Sequence, residues 1–245
     1  MFNKLKYPVI FTIGLLLIWE FVPFLLKTPA YIFPRFSVII KAIFSSNEWL
    51  EHLKITALES LLGFCLGSFL GFIIGFLMSK SEIMSRILLP YVIASNAIPV
   101  IAIAPIIIMW FGNGITSKIV VSAFLCFFPL SINTYKGLST FPVLYQELFN
   151  IYGASEIQFY RYFRLKNAFP FIFTGLKLNA TFAVIGSIVG EIIASDKGLG
   201  YAMLQAVYNL NMPKLWGLVI VSCILGMSAY SVVVFVESNI NKIKK

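Results

Sequence analysis

Residues 136–167, KGLSTFPVLYQELFNIYGASEIQFYRYFRLKN, form the one long polar-bearing stretch between apolar runs in a chain of 245 residues. The stretch reads as two short helices, 143–152 and 155–165, separated at Gly153, whose backbone accepts the left-handed turn that ends a helix. Ser155 followed by Gln158 is a capping box and sets the start of the second helix. Apolar Leu148, Phe149, Ile151, Ile157 and Phe163 interleave with Glu147, Glu156, Arg161, Arg164 and Lys166. Two readings stand: an element that docks a soluble partner, or a surface loop covering the end of a helical bundle.

Outward from this stretch the chain is apolar on both sides. With 59% hydrophobic and 12% charged residues it has too few polar groups to coat a soluble domain of this length. Its 24 Phe, 11 Tyr and 4 Trp exclude a disordered chain. Six runs are apolar enough to cross a bilayer as helices: 7–26, 57–79, 87–111, 119–135, 168–194 and 215–236. Together they predict a single all-α membrane domain over residues 1–245. The first run is long for a signal peptide and lacks a small-residue cleavage site, which predicts a retained helix. Residues 37–53 predict a short helix lying on the surface. The net charge of +9 is scattered singly between apolar runs, which suits membrane orientation and not nucleic acid. Counted along the six spans, eleven basic residues fall on the side of the long loop, among them Lys4, Lys80, Lys244 and Lys245. Seven fall on the other, including Lys118 and Lys197. Both termini and the loop are therefore expected in the cytoplasm.

The spans carry their own punctuation. Gly63, Gly67, Gly71 and Gly75 recur every four residues and predict close helix approach, either inside the bundle or at a dimer seam or moving surface. Pro90, Pro99 and Pro105 predict a kinked or broken third span, whose freed carbonyls must face protein or water. Asn96 and Pro99 there, with Asn179, Thr181, Ser187 and Glu191 in the fifth span, are candidate substrate-path residues, because polar groups in a span are costly unless paired or wet. Lys177 and Glu191 also have a bland reading: both near span ends, both able to snorkel. Cys65, Cys126 and Cys223 each sit within an apolar run and read as packing residues. One His (His52) and one Asp (Asp196) offer no metal site or catalytic triad, and no GxxxxGK[ST] phosphate loop is present.

Glu147-Leu148-Phe149 followed by Gly153, then the stretch to Leu165 and Pro170, resembles the EAA motif of the membrane-spanning permeases of binding-protein-dependent ABC importers. The likeness extends through Ala97-Ile98-Pro99, Ala104-Pro105, Trp110-Phe111-Gly112, Phe128-Pro129 with Asn133, Gly190-Glu191 and Gly198-Leu199-Gly200-Tyr201, which are similar to the nitrate, sulfonate and taurine type. Within that type, Thr174-Gly175-Leu176-Lys177, Ala180-Thr181 and Val184-Ile185-Gly186 look like members importing thiamine precursors or riboflavin. Three positions depart from the pattern: Leu148 and Phe149 stand for the two alanines, Lys166 for a proline, and Glu59 for a basic residue.

The resemblance implies a six-transmembrane-helix type I ABC importer permease fold with cytoplasmic coupling helices, in the bacterial inner membrane. It implies that Glu147, Leu148, Phe149, Gly153, Ala154, Ser155, Glu156 and Gln158 contact an ABC ATPase subunit present in two copies. That partner uses the ATP, and this chain binds no cofactor or metal. A periplasmic or lipid-anchored substrate-binding protein and a permease homodimer complete the expected assembly. The competing reading is an ion-coupled secondary transporter, which broken helices and intramembrane carboxylates suit but the two-helix loop does not.

Overall fold

The computed structural model describes residues 2–45 and 47–243, with side chains from residue 6 to residue 242. Lys244, Lys245 and the side chain of Lys4, counted above on the loop side, lie outside the described residues. Within them the fold is all helical: α1 (Phe2–Leu25), α2 (Phe36–Phe44), α3 (Glu48–Lys80), α4 (Glu82–Asn96), α5 (Val100–Phe111), α6 (Ile115–Ser139), α7 (Val143–Ile151), α8 (Glu156–Phe159), α9 (Leu165–Ala194), α10 (Leu199–Tyr208) and α11 (Met212–Ile243). A π-helical turn, Tyr160–Arg164, joins α8 to α9 without a break. Five helices are long and apolar enough to cross a membrane, and α4 with α5, bent by 100°, supplies a sixth crossing if counted together.

The bend falls at Ala97, Ile98 and Pro99. Proline disfavours helical backbone in the residue before it, and Pro99 itself is the extended N-cap of α5. Pro90 and Pro105 stay inside α4 and α5. Of the three prolines, then, only Pro99 breaks the third span.

Several boundaries differ from the sequence reading, each for a packing reason. The fourth span, read as 119–135, is a helix of 25 residues, because Ser117 and Lys118 at its start are buried against neighbouring helices and stay helical. Lys118, read as a loop residue, is 1% exposed. The helix expected over 37–53 is two elements: α2 lays Ile39 and Ile43 against α11 at Gly217, and from Glu48 the chain already belongs to α3. Glu48 and Glu51 in the first turn of α3 and Lys80 in its last complement the helix dipole and let it outrun its apolar core. The second loop helix is not self-contained either. Helical structure continues from Glu156 through Pro170 to Ala194.

α6 is the centre of the bundle, with α3 on one face and α9 on the other. The glycine stripe of α3 meets α6 and not a dimer partner. A Cβ on Gly71 would lie 2.5 Å from the carbonyl oxygen of Phe127, and one on Gly75 2.5 Å from that of Ser131. From the other side Gly175 and Gly186 of α9 meet Leu130 and Ser122 of α6. Three backbones thus touch with almost no side chain between them, where dispersion and short polar contacts do the work that water cannot do in lipid. A second core joins α10 to α11 through Leu199, Ala202, Met203, Leu218 and Val221. α1 stands at the edge, held by Trp19 edge-on to Trp216 at 5.0 Å and by Glu20, which accepts the Ser37 N–H at the start of α2.

Candidate functional site

Two constructions at opposite ends of the α3–α6–α9 bundle carry the chemistry-bearing residues. The loop end is built by local rules. α7 closes in a Schellman turn: the Ala154 N–H donates to the Phe149 carbonyl and the Gly153 N–H to that of Asn150, with Gly153 at φ +69°. Ser155 then starts α8 by accepting the Gln158 N–H, while its own N–H donates to the Gln158 side chain at 2.8 Å. Five rings, Phe141, Tyr145, Phe149, Phe159 and Phe163, stack beneath the turn, with Phe149 and Phe159 centred 5.0 Å apart. Of the residues read as partner contacts, Phe149 therefore faces inward and fixes the angle of α7. Glu147, Leu148, Gly153, Ser155, Glu156 and Gln158 are exposed, and Ala154 is half-buried.

The tip of the loop is apolar and uncovered. Ile151 is 79% exposed, Tyr152 86% and Ile157 79%. Tyr152 was not among the residues singled out by sequence, although its place beside Gly153 marks it. Behind the tip, the Tyr160 hydroxyl meets Ser79 Oγ at 2.9 Å and ties the π turn to the last turn of α3.

The opposite end is built by long-range contacts. Gly198, at φ +99°, opens α10, and the three successive N–H groups of Gly198, Leu199 and Gly200 all end on side chains from other helices. They donate to His52 Nδ1, Thr56 Oγ1 and Glu191 Oε2 at 3.1, 2.8 and 2.7 Å. The Thr56 hydroxyl in turn donates to Glu191 Oε1 at 2.6 Å. Glu191 is 1% exposed, so it does not snorkel. Its carboxyl group is held in protein by the Thr56 hydroxyl and the Gly200 N–H, with Lys118 within electrostatic reach and Glu59 beside it. Lys118 Nζ donates to the Asn113 carbonyl. Thr56, Glu59, Lys118 and His52 were not predicted as site residues, since no local pattern links them to Gly198.

The remaining path candidates separate into two groups. Asn96 and Pro99 are exposed at the bend between α4 and α5. Asn179 Nδ2 donates to Ser68 Oγ at 2.9 Å and Ser187 Oγ meets Ser60 Oγ at 3.2 Å, so both join α9 to α3. Thr181, half-buried, bonds back to the Leu178 carbonyl. Lys177, also read as able to snorkel, pairs with Glu237 of α11 at 2.5 Å.

The fold is a multi-span helical bundle with a capped helix pair hanging from one end. The comparisons agree with it. The family described as binding-protein-dependent transport system inner membrane component matches residues 67–242. A probable ABC transporter permease protein of Haemophilus influenzae is 35% identical over 93% of this chain and 93% of its own. The formylaminopyrimidine transport permease protein ThiX of Halalkalibacterium halodurans is 33% identical over 94% of this chain and 93% of its own. The riboflavin transport system permease protein RibX of Chloroflexus aurantiacus is 38% identical over 72% of this chain and 65% of its own. Among solved structures, an inward-facing MetNI methionine ABC transporter chain aligns with a TM-score of 0.62 at 18% identity, over 76% of this chain and 94% of that one.

The chain belongs to the binding-protein-dependent transport system inner membrane components. It is the permease component of an ABC-type importer, a multi-pass membrane subunit that works with a separate ATPase.

Proposed function

We propose that this permease imports a small polar heterocycle of the thiamine-precursor or riboflavin kind, as a homodimer that binds two ATPase subunits and receives its solute from a periplasmic or lipid-anchored binding protein. Support for the solute class comes from the likeness to permeases named for formylaminopyrimidine and riboflavin. In this reading both termini and the α7–α8 loop face the cytoplasm of a bacterial cell.

The observation that carries the coupling assignment is the uncovered apolar tip. Leu148, Ile151, Tyr152 and Ile157 project from a helix pair whose turn and cap are rigidly specified. Exposed apolar side chains on an ordered element mark a protein interface. Glu147, Leu148, Gly153, Ala154, Ser155, Glu156 and Gln158 form the ATPase contact, and Phe149 orients it from beneath. Closure of the ATPase pair then moves the loop as a rigid body, and the spans rock between inward- and outward-open states. Asn96 and Pro99, at the only described break in a span, are the leading path residues. Thr181 follows them, while Asn179, Ser187 and Glu191 reach the path only if α3 and α9 part.

Uptake of labelled formylaminopyrimidine, riboflavin and an alkylsulfonate is measured in cells with and without the gene. The expected result is loss of one heterocycle only, with uptake abolished by ATP depletion and resistant to an uncoupler. Loss of sulfonate uptake overturns the solute class. Uptake that survives ATP depletion and collapses with the uncoupler restores the ion-coupled reading.

A further inference from the structure

A cavity of about 610 Å³ lies at the loop end, bounded by the last turn of α3, the inner side of α7 and α8 up to Ala154 and Glu156, and the π turn. Its lining brings together Lys80, Arg161 and Arg164 with the rings of Phe76, Phe159 and Tyr160. Two of these cations converge on one ring. Lys80 Nζ stands 4.8 Å from the Phe76 centroid and 6.0 Å from that of Tyr160, and the Arg164 guanidinium carbon stands 5.8 Å from the same Tyr160 and 5.2 Å from Phe159. Neither has a carboxylate within ion-pair distance among the described residues. Arg164 Nε is buried with no hydrogen-bond partner. Glu156 is the one carboxylate in the lining, and it is exposed.

Aromatic faces hold the two like charges but do not neutralise them, so an anion bound in the cavity would offset their repulsion and give the buried Arg164 Nε a partner. An Arg and a Lys lining one cavity suit a phosphate, the Arg through paired donors and the Lys as a point charge. Lys80 ends one spanning helix and Arg164 directly precedes another, which puts both at the depth where lipid headgroups lie. We propose that this cavity is a phosphate-binding site, filled by the headgroup of an anionic phospholipid or by a soluble phosphate compound.

Native mass spectrometry of the purified permease–ATPase complex, titrated with phosphatidylglycerol, phosphatidylcholine or inorganic phosphate, tests it. The wild type is expected to retain phosphatidylglycerol over phosphatidylcholine, and Lys80→Gln or Arg164→Gln to lower that retention roughly five-fold each. Arg86→Gln, whose charge is already paired, leaves it unchanged. If inorganic phosphate binds and displaces the lipid, with the same dependence on Lys80, the site is one for soluble phosphates. Should Arg164→Gln fail to assemble, the exposed Lys80 decides. Equal retention of the two lipids with no phosphate binding, or retention indifferent to Lys80→Gln, overturns the proposal. A cross-link placing an acidic ATPase side chain in the cavity overturns it as well.

Discussion

Gly153 and Gly198 stand at opposite ends of the same bundle with φ of +69° and +99°, yet a Cβ on Gly153 would meet nothing within 4 Å, whereas one on Gly198 would overlap the Glu191 carboxylate. At the loop end glycine answers a torsional demand alone. At the far end it answers torsion and contact together, because a helix start is being held by side chains from α3 and α9. The loop turn is held by contacts within the α7–α8 segment and can move as one body, whereas a turn locked to a buried carboxylate moves only when the helices carrying its partners move.

The largest effect that separates the two ends is expected at Gly198. Gly198→Ala adds strain and displaces Glu191, for a loss of about 3 kcal/mol or more. The measurement is thermal unfolding of the detergent-solubilised complex. A variant as stable as wild type would falsify the contact described for Glu191. Next comes Thr56→Val, which keeps the shape but removes the acceptor for Leu199 N–H and the donor to Glu191, at about 2 kcal/mol. Uptake should fall with stability here, and Thr56→Ser should recover most of both. The smallest effect belongs to the loop end. Gly153→Val costs about 1–2 kcal/mol of local order, while Gly153→Asn, which tolerates the left-handed turn, costs less. Both variants should stay folded as isolated permeases. Co-purification of the ATPase should be weakened by Val and retained with Asn, and equal co-purification for the two would break the comparison.

The two ends were also unequally legible in the sequence. Gly153, Ser155 and Gln158 lie within six residues of one another, and turn and cap chemistry is short-range, so the end of the first loop helix and the start of the second could be placed to within a residue, while the second does not end at 165 as expected, because helix runs on to Ala194. Glu191, by contrast, finds Thr56 across 135 residues, and His52 finds Gly198 across 146. Periodicity and hydropathy carry no trace of such pairings, and they put Lys118 in a loop because an unpaired lysine belongs there. Helix lengths failed for a related reason. α3 extends past its apolar core through Thr56, whose burial depends on partners from α9 and α10, and α6 through Ser117, buried against its neighbours. The break at Pro99 was legible as one of three prolines, but which of them breaks the helix depends on what precedes it.

α6 has a mechanical consequence of its own. A joint between helices usually has some give, because long side chains change rotamer and absorb small displacements. α6 meets both neighbours through glycine-lined contacts, so it has little such slack on either face. The loop leaves from the end of α6 and feeds into α9, and so both of its anchors belong to the same stiff plate. If a partner pushes on Ile151 or Tyr152, neither anchor can slide past the other without parting these glycine contacts.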